Sequence, residues 1–224
     1  MCGRFFRTEV SYEEYLAHFD LSRSGDIPGT EAAYNVAPTQ TAPVIRRDES
    51  GAGAELAPAR WGLIPAWWNK PLKEMKFSTF NARSETAATS RVFRSAWRRR
   101  RCLVPVSGYY EWSGPRGRKT PHAIGCRNRR WFCLGGLWET AHVGGEPVDS
   151  FTILTTSPNE LMAVIHNRMP VIVHPGNYRR WLDSEGGDVR ELCEPYPANE
   201  MEAWKVGPAV GNVRNQGREL IAEL

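Results

Sequence analysis

The chain has 224 residues, of which 41% are hydrophobic and 24% charged; that is enough for one good core at roughly 150 residues per domain, and the composition excludes a fibrous or wholly disordered protein. The formal net charge is only +4, yet the 29 basic residues divide into 24 Arg and 5 Lys; a GC-rich genome produces that bias, and so does a phosphate-binding surface, because the guanidinium fork matches phosphate and stacks on bases. The first thirty residues hold no apolar run of signal-peptide length and no stretch reaches the about eighteen apolar residues of a membrane helix, so a single cytoplasmic domain without membrane contact is expected.

In chain order, SYEEYLAHFD (11–20) starts on Ser11 with Glu14 three residues later, a capping box, and carries Tyr12, Tyr15, Leu16 and Phe19 on one helical face. Residues 41–65, broken by Pro and Gly and rich in Val, Ile and Trp, predict two strands joined by a solvent loop. Residues 85–100 lack Gly and Pro and space Val92, Phe93, Ala96 and Trp97 as a helix does, which predicts one helix with a basic tail. CLVPVSGYYEWSG (102–114) predicts strand, Ser-Gly turn and strand, with further strands near 121–126, 131–138 and 151–156. SPNELMAVI (157–165) predicts a helix capped by Ser157, with Pro158 first and Glu160 third. Strands outnumber helices without regular crossovers, so the fold class is α+β with a curved, largely antiparallel sheet system. Five cysteines, an odd count without paired CxxC spacing, suggest reduced thiols and neither a disulfide framework nor a zinc site.

The chain opens MCGRF. Loss of Met1 would leave Cys2 with a free α-amine beside its own thiol, a 1,2-aminothiol that condenses with an aldehyde to an imine and then closes to a thiazolidine. Position alone points first to a small residue tolerated after Met1. In NARSET (81–86), Asn81 and Arg83 point to one side if the segment is extended, suited to a sugar oxygen and a phosphate; helix capping is the alternative. GYYEW (108–112) sets Glu111 among Tyr109, Tyr110 and Trp112, where a carboxylate loses solvation and becomes a proton shuttle, unless it faces solvent. IHNRMPVIV (165–173) puts His166 at a helix end, where the macrodipole favours its charged form, with Arg168 two residues on. RWGLIPAWW (60–68) presents Trp61, Trp67 and Trp68 about a proline turn; Trp61 reads as core and the adjacent pair as partners for nucleobases. The four arginines of WRRRRC (97–102) contact phosphate or simply compensate a helix C-terminus.

In this order MCGRF, YNVAPTQ, RWGLIPAWW, FNARSET, CLVPVSGYYEW, LMAVIHNRMPVIV and VGNVRN resemble the SRAP family, the SOS response-associated peptidase domain proteins that crosslink to abasic sites. The resemblance runs from residue 2 to about 215 and implies one SRAP domain over 1–224, a barrel-like core of mainly antiparallel sheets with peripheral short helices, no cofactor and no metal. It implies a DNA-associated, monomeric protein that binds single-stranded DNA carrying abasic sites, or single-strand to double-strand junctions, and shields the lesion as a thiazolidine crosslink in the DNA damage response. It also implies roles: Cys2 as nucleophile, Asn81 orienting the sugar and the N-terminal residue, Glu111 moving protons, and His166 protonating the sugar oxygen. Arg4, Arg83 and Arg168 would clamp phosphates, Trp67 and Trp68 would stack on bases or block a duplex end, and Asn35 and Pro38 would join the DNA-binding surface. The competing readings are a cysteine peptidase or N-terminal-nucleophile hydrolase, with Glu111 or His166 as base, and a passive single-strand binding module with an incidental thiol.

Overall fold

The computed structural model describes residues 2–19, 21, 31–48, 50–51, 53–183 and 187–224; Met1 and the side chains of Tyr12 and Leu16 lie outside that set. Strand β1 (Phe5–Arg7) leads to helix α1 (Tyr12–Leu16), which begins with the capping box read from the sequence: Ser11 Oγ accepts from the Glu14 N–H at 3.2 Å and Glu14 Oε2 accepts from the Ser11 N–H at 2.9 Å. After β2 (Ala33–Val36), strands β3 (Thr41–Arg47) and β4 (Ala54–Trp61) pair antiparallel across the expected loop. Next come β5 (Asn81–Arg83), α2 (Ser84–Ala87) and α3 (Arg94–Arg99). The single helix expected over 85–100 is therefore two short ones. Thr89 Oγ1 donates to Thr86 O at 3.2 Å, and Ser90 Oγ accepts from the Val92 N–H at 3.3 Å. The Ser90 hydroxyl takes the Val92 N–H that a continuous helix needs, whereas Thr86 O, shared by the Thr89 hydroxyl, still accepts from the Ser90 N–H at 2.9 Å.

Strands β6 (Arg101–Val106) and β7 (Gly108–Ser113) follow as expected, but the turn between them carries the chain from one sheet to another. Gly108 makes that crossing possible, since a Cβ there would come within 2.3 Å of the Phe6 ring and 2.5 Å of Ile124 O. β8 (Thr120–Cys126), β9 (Phe132–Val143) and β10 (Glu146–Thr156) complete the strand-rich middle of the chain. Helix α4 (Glu160–Ala163) starts two residues later than read, because Asn159 rather than Ser157 is the cap: its Oδ1 accepts from the Met162 N–H at 2.9 Å while its Nδ2 donates to Tyr196 O at 2.6 Å. β11 (Met169–Pro170), β12 (Ile172–Val173), α5 (Tyr178–Leu182) and β13 (Met201–Lys205) finish the element list.

One sheet has the order β13-β8-β7-β1-β2. In the other, β10 pairs with β4, β4 with β3, β3 with β6, β6 with β9, and β9 with β10 again, so five strands close into a barrel. Among the named strands, pairing is antiparallel except where β10 meets β4 and β5. The expected α+β class with a curved, mainly antiparallel, barrel-like core is the observed one. β6 is buried along its whole length: Cys102 and Val104 face a core shared with Phe5, Trp61, Tyr109 and Phe151, and Leu103 faces the opposite one, packed by Trp97 and Trp181. Trp61 is 0% exposed and stacks on Phe151, as its reading as core required. The arginine run divides. Arg101 is buried, donating Nε to Trp181 O at 2.7 Å and Nη1 to Trp97 O at 3.1 Å, and Arg100 pairs with Glu139 beside Trp138.

All five cysteines are free and buried. Burial pushes the thiols of Cys126 and Cys193 up to about 12, whereas an unfolded thiol ionises near about 8.5. Between those values the unfolded chain has released protons that the folded chain retains, so the stabilisation is fully present below about 8.5 and is lost as pH rises through the folded value. Urea midpoints are therefore expected to fall between pH 8 and 10, with a slope of up to about 1.4 kcal/mol per pH unit for each thiol. Equal midpoints at the two pH values would contradict this.

Candidate active site

Cys2 precedes β1 and is 0% exposed, with Sγ 3.8 Å from Arg4 O. Burial, and after it the carboxylate of Glu111, push its thiol far above the ordinary range. The neighbourhood follows from strand pairing. Phe5 of β1 lies opposite Tyr109 of β7, the Tyr110 N–H donates to Arg4 O at 2.9 Å, and alternation turns Tyr109 and Glu111 to the same face. Glu111 is 3% exposed, not a solvent-facing strand residue, and its Oε2 accepts from the Trp112 N–H at 3.3 Å.

Asn81 arrives from another direction. β5 runs parallel to β10 with Asn81 opposite Ile153, and from there Asn81 Nδ2 donates to Cys2 O at 2.8 Å. Its Oδ1 is buried and has no hydrogen-bond partner among the described residues. An amide that grips the Cys2 carbonyl with its donor and keeps its acceptor open is suited to receive an amine or hydroxyl beside that residue. Helix capping does not account for this asparagine: the position before α2 is Arg83, and no side-chain bond caps it.

Arg83 is exposed two residues along the same strand, and Thr155 of β10 lies opposite it. Arg168 reaches the same place, donating Nη2 to Thr155 O at 2.6 Å and both Nη1 and Nη2 to the Glu85 carboxylate at 2.5 and 2.8 Å. His166 belongs to this corner, because its Nδ1 lies 3.0 Å from the Arg168 backbone nitrogen and 3.2 Å from the Arg168 carbonyl oxygen. The macrodipole argument for His166 fails on the fold. α4 is a single four-residue turn with its C-cap at Val164, and dipole effects fade within the last turn.

The remaining expected contact residues separate into two groups. Asn35 is 0% exposed and its Nδ2 donates to Val210 O, Asn212 O and Asn215 O at 3.2, 3.0 and 3.0 Å. Arg4 Nη1 donates to Asn35 Oδ1 at 2.8 Å and to Val210 O at 2.7 Å. So Asn35, expected on a DNA-binding surface, is buried instead, and YNVAPTQ and VGNVRN meet as one strut; Pro38 sits half-buried in the turn that follows β2. Trp67 is 47% exposed, tilted against Trp68 at 6.1 Å, with the Arg91 guanidinium 4.9 Å over its ring. The Trp68 indole N–H is buried without a hydrogen-bond partner among the described residues. Sequence reading missed Glu85, Thr155 and Arg91. Glu85 stood inside a motif already singled out, whereas no spacing pointed to the other two.

Among the described residues no helix is long and apolar enough to cross a membrane. A family model described as SOS response associated peptidase (SRAP) matches residues 1–213. The chain is 35% identical to the abasic site processing protein YoqW of Bacillus subtilis (strain 168) and 34% identical to the abasic site processing protein YedK of Escherichia coli (strain K12), covering 99% of both chains in each case. A crystal structure of a protein from Bacteroides thetaiotaomicron, 22% identical, superposes with a TM-score of 0.85 over 100% of both chains, which shows a shared fold. A second, from Bordetella bronchiseptica, is 29% identical with a TM-score of 0.78, covering 92% of this chain and 100% of that one.

Proposed function

The chain belongs to the SRAP family, and from that premise we propose that it processes abasic sites in DNA by capturing the lesion covalently at Cys2. The observation that carries this reading is the meeting of two side chains from separate elements at Cys2: Asn81 on its carbonyl, and the Glu111 carboxylate, whose charge raises the pKa of its thiol. Removal of Met1 frees the α-amine. The amine adds to C1′ of the ring-opened deoxyribose, water leaves, and an imine forms. The thiol then adds to the imine carbon and its proton passes to nitrogen, so that amine, thiol and aldehyde become thiazolidine and one water.

A thiol held in its protonated form needs a base nearby to become a nucleophile, and Glu111 supplies it. His166 protonates the sugar oxygen as the ring opens, and the open acceptor of Asn81 orients the amine or the sugar hydroxyl. Selectivity comes from the chemistry, since an intact nucleotide offers no aldehyde, and a nucleotide without a base costs little to turn out of a strand. Arg83 and Arg168 grip the backbone, Trp67 and Trp68 stack on neighbouring bases, and Arg4 with Asn35 and the Pro38 turn shapes the edge they share. Such contacts make binding salt-sensitive and tolerant of sequence. Amide hydrolysis at Cys2 would leave the arginines and tryptophans without a task.

The test mixes purified protein with a single-stranded oligonucleotide bearing a central abasic site. A shifted band on a denaturing gel, formed without borohydride, is expected; a shift confined to native gels supports a non-covalent binder. Glu111→Gln and His166→Ala are expected to slow adduct formation or release by about 10²-fold or more, the usual reach of a general acid or base, while sparing affinity for an undamaged strand. If they weaken that affinity as much as Arg83→Ala does, the roles are misassigned.

A further inference from the structure

We propose that Glu85 is a resident phosphate surrogate: its carboxylate occupies the seat on Arg168 that a phosphodiester of the bound strand takes, and its displacement sets how tightly the strand is held. The proposal rests on the DNA-binding reading above.

Carboxylate and phosphodiester each present one negative charge on two oxygens, and the guanidinium fork grips both in the same bidentate way. Here Arg168 spends that fork on Glu85, at 2.5 and 2.8 Å. Hydrogen bonding from Arg168 holds the Glu85 carboxyl below its ordinary range, and the nearby charge of Arg83 lowers it further, so the carboxylate lies within the field of both arginines assigned to the backbone. The two partners differ in freedom. The Arg168 side chain is 15% exposed and Glu85 is 49% exposed. Arg168 is also tethered from behind, through Nη2 to Thr155 O at 2.6 Å and through its own N–H to His166 Nδ1. When the carboxylate leaves, the guanidinium stays. A cavity of about 260 Å³, lined by Glu85, Thr156, Arg190 and Cys193 among others, gives the carboxylate room to move. A half-exposed ion pair of this kind is weak enough to exchange for a phosphate that other contacts hold in place.

The experiment measures affinity for an undamaged single-stranded oligonucleotide by fluorescence anisotropy at fixed salt, so no covalent step enters. Glu85→Gln is expected to bind about two- to fivefold tighter than wild type, the range of an exposed ion pair. Glu146→Gln makes the same change in net charge at the opposite end of β10 and is expected to gain little. In an Arg168→Gln background Glu85→Gln is expected to add no more than Glu146→Gln does. Unchanged or weaker binding by Glu85→Gln, or an equal gain without Arg168, overturns the proposal. Loss of the adduct in wild type with these affinities intact sinks only the covalent reading, and a wild-type chain that binds no strand sinks both.

Discussion

Cys2→Ala is expected to form no adduct that survives a denaturing gel, a loss of at least about 10³-fold, while retaining affinity for single-stranded DNA. The size follows from ring closure. A thiol three bonds from the imine nitrogen reacts intramolecularly, and well-oriented intramolecular reactions reach effective molarities of about 10⁵ M or more, which no thiol in solution replaces. Alanine and serine at position 2 both permit removal of Met1 and both keep the α-amine, so Cys2→Ala and Cys2→Ser should still yield an imine that borohydride traps. The two variants thus divide amine from sulfur. A stable adduct from Cys2→Ala without reductant would move the nucleophile elsewhere in the chain. Mass spectrometry of the mature N-terminus provides the companion measurement, because a retained Met1 ties the amine into a peptide bond and predicts no adduct from any variant.

The second large effect is expected from Asn35→Ala, which should cost about 2–4 kcal/mol in urea unfolding and release the segment 208–216. Asn35 Nδ2 is shared by three backbone carbonyls of that segment, and its Oδ1 receives Arg4. Each lost bond is worth about 1 kcal/mol, and the substitution removes the partner of all four. Faster hydrogen exchange in 208–216 and weaker strand binding should accompany the loss, since Arg4 Nη1 and Nη2 also hold Val210 O and Gly211 O. Wild-type stability together with a protected loop in Asn35→Ala would show that the strut holds nothing. The proposed exchange at Glu85 differs in kind: there a half-exposed side chain is removed and binding improves.

What could be read directly depended on how far each feature reaches along the chain. The capping box at Ser11 and Glu14, the strands on either side of Gly51 and the strand character of GYYEW depend on neighbours a few residues away, and each is where the sequence puts it. Over 85–100 apolar spacing favours one helix, but it does not report Thr89 and Ser90, whose hydroxyls bond to the backbone where the two helices part. At 157–165 Ser157 has the local signature of a cap, but Asn159, with a carbonyl oxygen and an amide to use at once, satisfies both the helix start and Tyr196. Neither choice is settled by local preference alone.

The amino-acid sequence by itself determined the thiol behind the first residue, the carboxylate among aromatics, the strand-rich α+β class and the membership that seven ordered blocks announce. Tertiary structure alone decided that Asn81 reaches Cys2 across 79 positions, that Arg4 and Val210 join across 206, and that Glu85 rather than solvent faces Arg168. It also sent β6 and β7 to different sheets and put Asn35 under the surface. The physical reason is that caps, turns and periodicity are set by contacts within about four residues, whereas which buried polar groups meet is set by strand register and by the requirement that each find a partner once water is gone.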